Sequence, residues 1–132
     1  MSIKCYLHIG FGTKSGDFAQ QGIINYILQR IEYHKQNSKE LLINEVSIEH
    51  IANDNGTEQN SKIGNLLPLS RSINENCGDE DFIKKIQKYK NSNFITVKDF
   101  LNHNSNKTEW SSKDIDERTK RISKLAYDEI WK

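Results

Sequence analysis

At 132 residues the chain is long enough to bury one core and too short for two well-packed ones. Only 35% of it is hydrophobic, no run approaches the ~18 apolar residues of a membrane span, and the N-terminus lacks the pattern of a secretory leader, so a cytoplasmic protein with a small core and polar loops is expected. A net charge of +1 does not by itself predict a nucleic-acid partner, and Cys5 and Cys77, neither in a CxxC pair, suggest neither a structural zinc site nor a disulfide framework.

Residues 1–16 read as a flexible or peripheral segment. Its HIGFGTKSG stretch, at 8–16, lacks the GxxxxGK[ST] spacing of a phosphate loop and is taken as a glycine-containing loop. Asp17 suits a helix N-cap, and Phe18, Ile24, Ile27, Leu28 and Ile31 then share one helical face to about Tyr33. A polar connector, 35–39, leads to two β-favouring runs, 41–43 and 46–51, of which the second is the first strand of a hairpin. The polar stretch 52–62, with NDNGTEQNS in its middle, is a loop. Residues 63–69, IGNLLPL, close the hairpin, and the chain's single proline, Pro68, fits an edge strand or its end.

Residues 79–89 predict a helix with Phe82, Ile83, Ile86 and Tyr89 on its apolar face, lysines on the remaining faces and acidic residues in the first turn. After an Asn-rich loop at 102–107, Ser111 or Ser112 caps a last helix in which Ile115, Thr119, Ile122, Ala126 and Ile130 form a stripe opposite a basic side. The expected order is helix, strand, strand, helix, helix, in a single domain over 1–132 with its motif core at 46–92. No internal repeat is visible.

The chemistry concentrates at the hairpin. Glu49 and His50 lie side by side near the end of the first strand, Asn65 lies on the second, and Asn74 follows where the hairpin hands over to helical structure. Alternation along a strand brings Glu49 and His50 to one site only if the strand end twists or bulges. An imidazole, an amide and oxygen ligands at a divalent ion are what phosphodiester hydrolysis with one metal requires. Histidine is apt as the base because its ordinary pKa of about 6.5 leaves it largely neutral at physiological pH.

SIEHI at 47–51, IGNLLPLSRSIN at 63–74, FIKKIQKYKNS at 82–92 and EWSSKDIDERTKRISKLAYDEIW at 109–131 together resemble the HNH-type (ββα-metal) nuclease domain at the C-terminus of GmrSD-like modification-dependent restriction enzymes and other phage-defence proteins. The resemblance runs from about Ile24 to Trp131. It implies an α+β fold, a ββα-metal hairpin and helix flanked by further helices. It also implies His50 as general base, Asn65 as the residue that fixes the imidazole by accepting a hydrogen bond, and Glu49 and Asn74 as ligands of magnesium or manganese. DNA is the implied substrate, cut to a 5′-phosphate and a 3′-hydroxyl, with a sensor or NTPase domain or subunit as a possible further partner. One departure is plain: the family's HIxP pattern has proline where this chain has Asn53.

Blander readings stand beside these. Glu49 could form a surface ion pair, with Asp54 or Glu58 serving as the ligand instead, and Asn76 could replace Asn74. Asn65 and Asn74 occur in a chain full of turn-capping asparagines. Lys85, the candidate phosphate contact, could lie on a solvated face. His8, His34 and His103 have no partner at ligand spacing. The alternative function is an inactive nuclease-fold module that binds nucleic acid or protein; a zinc- or cysteine-based enzyme ranks below both.

Overall fold

The computed structural model describes residues 18–36 and 46–130, with side chains over 22–36 and 46–128. Five α-helices and one antiparallel hairpin occur among the described residues: α1 (Phe18–Gln36), β1 (Val46–His50), β2 (Leu66–Ser70), α2 (Arg71–Cys77), α3 (Phe82–Tyr89), α4 (Ile95–Asn104) and α5 (Ser112–Leu125). Short 3-10 turns, Gln59–Ser61 and Ile63–Asn65, precede β2, and a π-helical turn, Ala126–Ile130, continues α5. The expected α+β class is therefore observed. Asp17 as a cap, the 1–16 segment, the 41–43 run and the side chains of Phe18 and Ile130 lie outside the described residues. No helix among those described is long and apolar enough to cross a membrane.

The hairpin pairs Val46 with Ser70 through to His50 with Leu66. The Ile51 N–H extends the ladder by donating to the Asn65 carbonyl at 2.9 Å. That bond fixes the alternation, so the Ile48–Pro68 pair falls at a position where neither residue bonds across the ladder. Pro68 can therefore sit inside β2 without costing a ladder hydrogen bond.

Alternate residues of the hairpin serve two cores. Ile51, Leu67 and Leu69 join Phe82, Ile86, Tyr89, Phe100 and Trp110 on one face. Leu66, with Ile48 packed against it, joins Ile24, Ile27, Leu28 and Ile31 of α1 and Ile122 of α5 on the other. Burial on both faces explains why β2 reads as a continuous apolar run rather than an alternating one.

α4 was not expected, and the structure supplies the reason. Its N-cap residue is Phe94, which has no side-chain oxygen to offer the first-turn amides. Glu32, fully buried on α1, does so instead, accepting from the N–H groups of Ile95 at 2.9 Å and Thr96 at 2.8 Å. The residues 102–104 that read as the start of a loop form the last turn of this helix.

α3 begins at Phe82, capped by Asp81, whose carboxylate accepts from the Lys84 N–H at 3.0 Å. Its buried stripe is Phe82, Lys85, Ile86 and Tyr89, while Ile83 is 54% exposed. The inward face is thus turned from the one expected, and a lysine occupies a core position.

α5 starts with Ser111 in a capping box with Asp114. Ile115, Thr119, Ile122 and Ala126 are buried as the stripe requires. Arg118, a residue type that normally faces water, points inward: one guanidinium nitrogen donates to the carbonyls of Gly64 at 2.9 Å and Leu66 at 2.8 Å, and the group lies 5.4 Å from the centre of the Phe100 ring. Burial lowers its pKa, while the carbonyl oxygens and the ring face stabilise the cation.

Candidate nuclease site at the end of the hairpin

Each candidate residue is placed by a different element. His50 closes β1 and is half-buried. Desolvation holds its pKa below the ordinary 6.5, with Lys85 pushing the same way and the Asp54 charge opposing. The imidazole is therefore biased toward its neutral form, the form able to accept a proton.

Glu49, one residue earlier, faces the other side of the hairpin and is only 3% exposed. Its carboxylate accepts from the Tyr89 hydroxyl at 2.7 Å and lies 3.3 Å from the Lys85 ammonium. Burial raises its pKa, and the partial compensation comes from Tyr89 and Lys85. The same burial, together with the Glu49 charge, pushes the Tyr89 hydroxyl upward and the Cys77 thiol up to about 11. Glu49 is thus not a surface ion pair. The ladder runs in register through His50, with no bulge to turn Glu49 and His50 to one side, and no hydrogen bond joins the imidazole to Glu49, Asn65 or Asn74 among the described residues.

Asn65 ends the 3-10 turn before β2 and is fully buried. Its side-chain oxygen accepts from the Ala52 N–H at 2.7 Å, and its nitrogen donates to the carbonyls of Ala52 at 2.9 Å and Asn60 at 2.8 Å. The direct bond to the His50 ring expected from the resemblance is replaced by this grip on backbone. Both ends of the amide are spent on the two ends of the loop that follows His50. Asn65→Ala should leave three partly buried backbone groups without their partner and lower stability by roughly 1–3 kcal/mol, read as a lower urea midpoint, with faster proteolysis within residues 52–62. An unchanged midpoint would mean that water substitutes freely for the amide.

Asn74, on α2, donates its side-chain N–H groups to the Ser47 hydroxyl and to the Ile48 carbonyl, the latter at 3.1 Å. It thereby ties α2 to the strand that carries Glu49 and His50, and its amide oxygen is the end that strand does not use. Asn76 is exposed. Asp54 and Glu58 are exposed too, and the Asp54 carboxylate accepts from the Gly56 N–H at 3.0 Å in a turn of its own loop.

Lys85 departs furthest from expectation. It is 1% exposed, so it does not lie on the solvated face that was the blander reading. Its ammonium donates to the His50 carbonyl at 2.7 Å and to the Asn53 side-chain oxygen at 2.7 Å, besides its pairing with Glu49. Tyr89, which bonds the same carboxylate, was not singled out as a site residue; its signal is its spacing from Lys85, four residues on along one helical face.

Among the described residues no three His, Cys, Asp or Glu side chains converge as a metal cage. His103 uses a ring nitrogen at 2.8 Å from the Asp99 carbonyl, a local helix contact.

No curated protein and no solved structure matches the chain. Residues 9–125 match the family model described as GmrSD restriction endonucleases, C-terminal domain. The match takes in the hairpin, the loop that Asn65 closes and all five described helices. The chain therefore belongs to the family of GmrSD restriction endonuclease C-terminal domains, an HNH-like nuclease domain.

Proposed function

We propose that the chain is a metal-dependent endonuclease that hydrolyses DNA phosphodiester bonds in restriction or anti-phage defence, with His50 as its general base. The observation that carries this reading is the family match falling on a hairpin whose first strand ends in a half-buried histidine biased toward neutrality. In this reading the hairpin and α2 are the ββα-metal motif.

Glu49 and Asn74 are the oxygen donors that the resemblance implies for a hard cation; because the ladder turns Glu49 away from His50 and toward Lys85, the carboxylate and the imidazole meet one phosphate only if the end of β1 turns. Glu49 offers a carboxylate whose burial is incompletely compensated, so a cation beside it would relieve an electrostatic cost. Asn74 offers an amide oxygen from the helix that braces the same strand. Two oxygen ligands are few for a cage but fitting for magnesium or manganese, which retain waters and take further oxygens from a phosphate. A bound ion would offset charge on the phosphate and on the leaving 3′ oxygen.

His50 accepts the proton of the attacking water as its oxygen bonds to phosphorus. The bond from phosphorus to the 3′ oxygen breaks, leaving a 5′-phosphate and, once that oxygen is protonated, a 3′-hydroxyl. Asn65 keeps the following loop closed on itself, so the base keeps its direction.

Plasmid nicking and linearisation by the purified chain, with magnesium or manganese and with EDTA, test the reading. Cleavage that appears with metal and stops with EDTA supports it. A folded chain that binds plain and modified DNA without cutting either would instead identify an inactive binding module.

A further inference from the structure

We propose that Lys85 is a positioning residue for this site: its buried ammonium clips the loop after β1 through the His50 carbonyl and the Asn53 side chain, and so sets the direction in which His50 presents its imidazole. The proposal rests on the reading of His50 as the base.

The geometry is specific. An ammonium has three hydrogens to donate, and Lys85 meets four acceptors: the His50 carbonyl and the Asn53 side-chain oxygen, each at 2.7 Å, the Glu49 carboxylate at 3.3 Å and the Ile51 carbonyl at 3.5 Å. The two shortest contacts go to the base's own peptide and to the loop beyond it. Fixing the His50 carbonyl fixes the peptide plane that leaves its α-carbon, and with it the backbone angle from which the ring projects. A buried ammonium is costly unless paired and fully hydrogen-bonded, and every partner here belongs to β1 or to the three residues after it.

Asn53 completes the clip from outside. It is exposed, yet its nitrogen donates to the Asp79 carbonyl at 3.0 Å and its own carbonyl accepts from the Asn60 side chain at 2.9 Å. Three hydrogen bonds thus hold a position at which the resembling pattern has proline, whose ring would restrain the backbone covalently.

The test uses Lys85→Met, Asn53→Ala and the double variant, on a DNA that the wild type cuts. Lys85→Met should lower kcat at least tenfold, with the Kd for DNA, measured in EDTA, within twofold of wild type. Asn53→Ala should lower kcat several-fold with the same unchanged Kd, and the double variant should be no worse than Lys85→Met alone, because the two residues act through one contact. Hydrogen exchange at the amides of residues 51–61 should quicken in both single variants while α1 and α5 keep their protection.

A weakened Kd with unchanged kcat would make Lys85 a phosphate contact and overturn the proposal, as would additive losses in the double variant. If Lys85→Met does not fold, Asn53→Ala decides: unchanged kcat and unchanged loop exchange overturn the clip, and a fall in kcat with quickened exchange upholds it. A folded wild type that cuts no DNA would sink the nuclease reading alone, since loop exchange still measures the clip without cleavage.

Discussion

His50→Ala should lower kcat by a factor of about 10²–10⁴, the range that a positioned general base contributes, while the fold survives. Survival is expected because the ring is only half-buried and because the His50 carbonyl is held by Lys85, and the ladder by the residues on either side, rather than by the imidazole. Circular dichroism and a thermal melt of the variant check the fold, and a plasmid assay checks the chemistry. Retention of more than a tenth of wild-type activity by a folded variant would remove His50 from the base role.

The pH dependence adds a signed expectation. A base works when deprotonated, and the His50 pKa is lowered from 6.5 by burial, so the acid limb of kcat/KM should have its midpoint below 6.5. The same shift affects stability. Below about pH 6.5 the unfolded chain takes up a proton that the folded chain resists, so this residue's contribution turns unfavourable as pH falls and levels off beneath the folded pKa. Comparing the acid limb of urea midpoints for wild type and His50→Ala isolates that contribution. A wild-type curve no steeper than the variant's between pH 6.5 and 5 would argue against the shift.

Gly64→Ala should be the most damaging single substitution for the fold. A β-carbon at Gly64 would collide with the Ile115 carbonyl and the Thr119 hydroxyl and would stand 2.6 Å from the Thr119 backbone nitrogen. Two of those three atoms are helix backbone, so no side-chain rotation relieves the clash. The close approach also carries bonds: the Gly64 N–H donates to the Thr119 hydroxyl at 3.0 Å, and the Gly64 carbonyl accepts from Arg118. Forcing α5 away from the turn would loosen all of these, together with the start of β2. A loss of at least about 3 kcal/mol is expected, seen as a melting temperature lower by roughly 10 °C or more. A melt within about 2 °C of wild type would show that α5 does not seat on this turn.

Much of this architecture is legible in the residues. The α1 stripe, the hairpin, a serine at 111 or 112 as a helix start and the α5 stripe follow from periodicity and capping chemistry, which act over a few residues; the helix read from residue 79 starts instead at Phe82, so its acidic residues precede the first turn and Asp81 is its cap. What is not legible depends on distant partners. α4 takes its cap from Glu32, more than sixty residues away, so its own sequence carries no start signal. Lys85 and Arg118 are residue types that normally face water, and only the carbonyls brought to them by the hairpin make their burial tolerable. Lys85 nevertheless shares the helical spacing of Phe82, Ile86 and Tyr89, and that spacing outweighs its charge. For the site, His50, Asn65 and Asn74 come from the resemblance alone, and the partners of their side chains are not legible in the sequence. That Asn65 holds loop backbone, and that Glu49 points into the core, depend on the strand register and on which face each residue takes.

The loop after β1 is pinned near both of its ends, by Asn65 and Lys85 on Ala52 and Asn53 and by Asn65 and Asn53 on Asn60. Between the pins, Asp54 to Glu58 are exposed and turn on Gly56 with φ at 76°. Closing a somewhat longer loop between fixed ends costs little, so this stretch can change in length and composition without moving the residues at its base. On the proposed nuclease reading, the arrangement separates a held base beside His50 from an exposed tip that can vary without disturbing it.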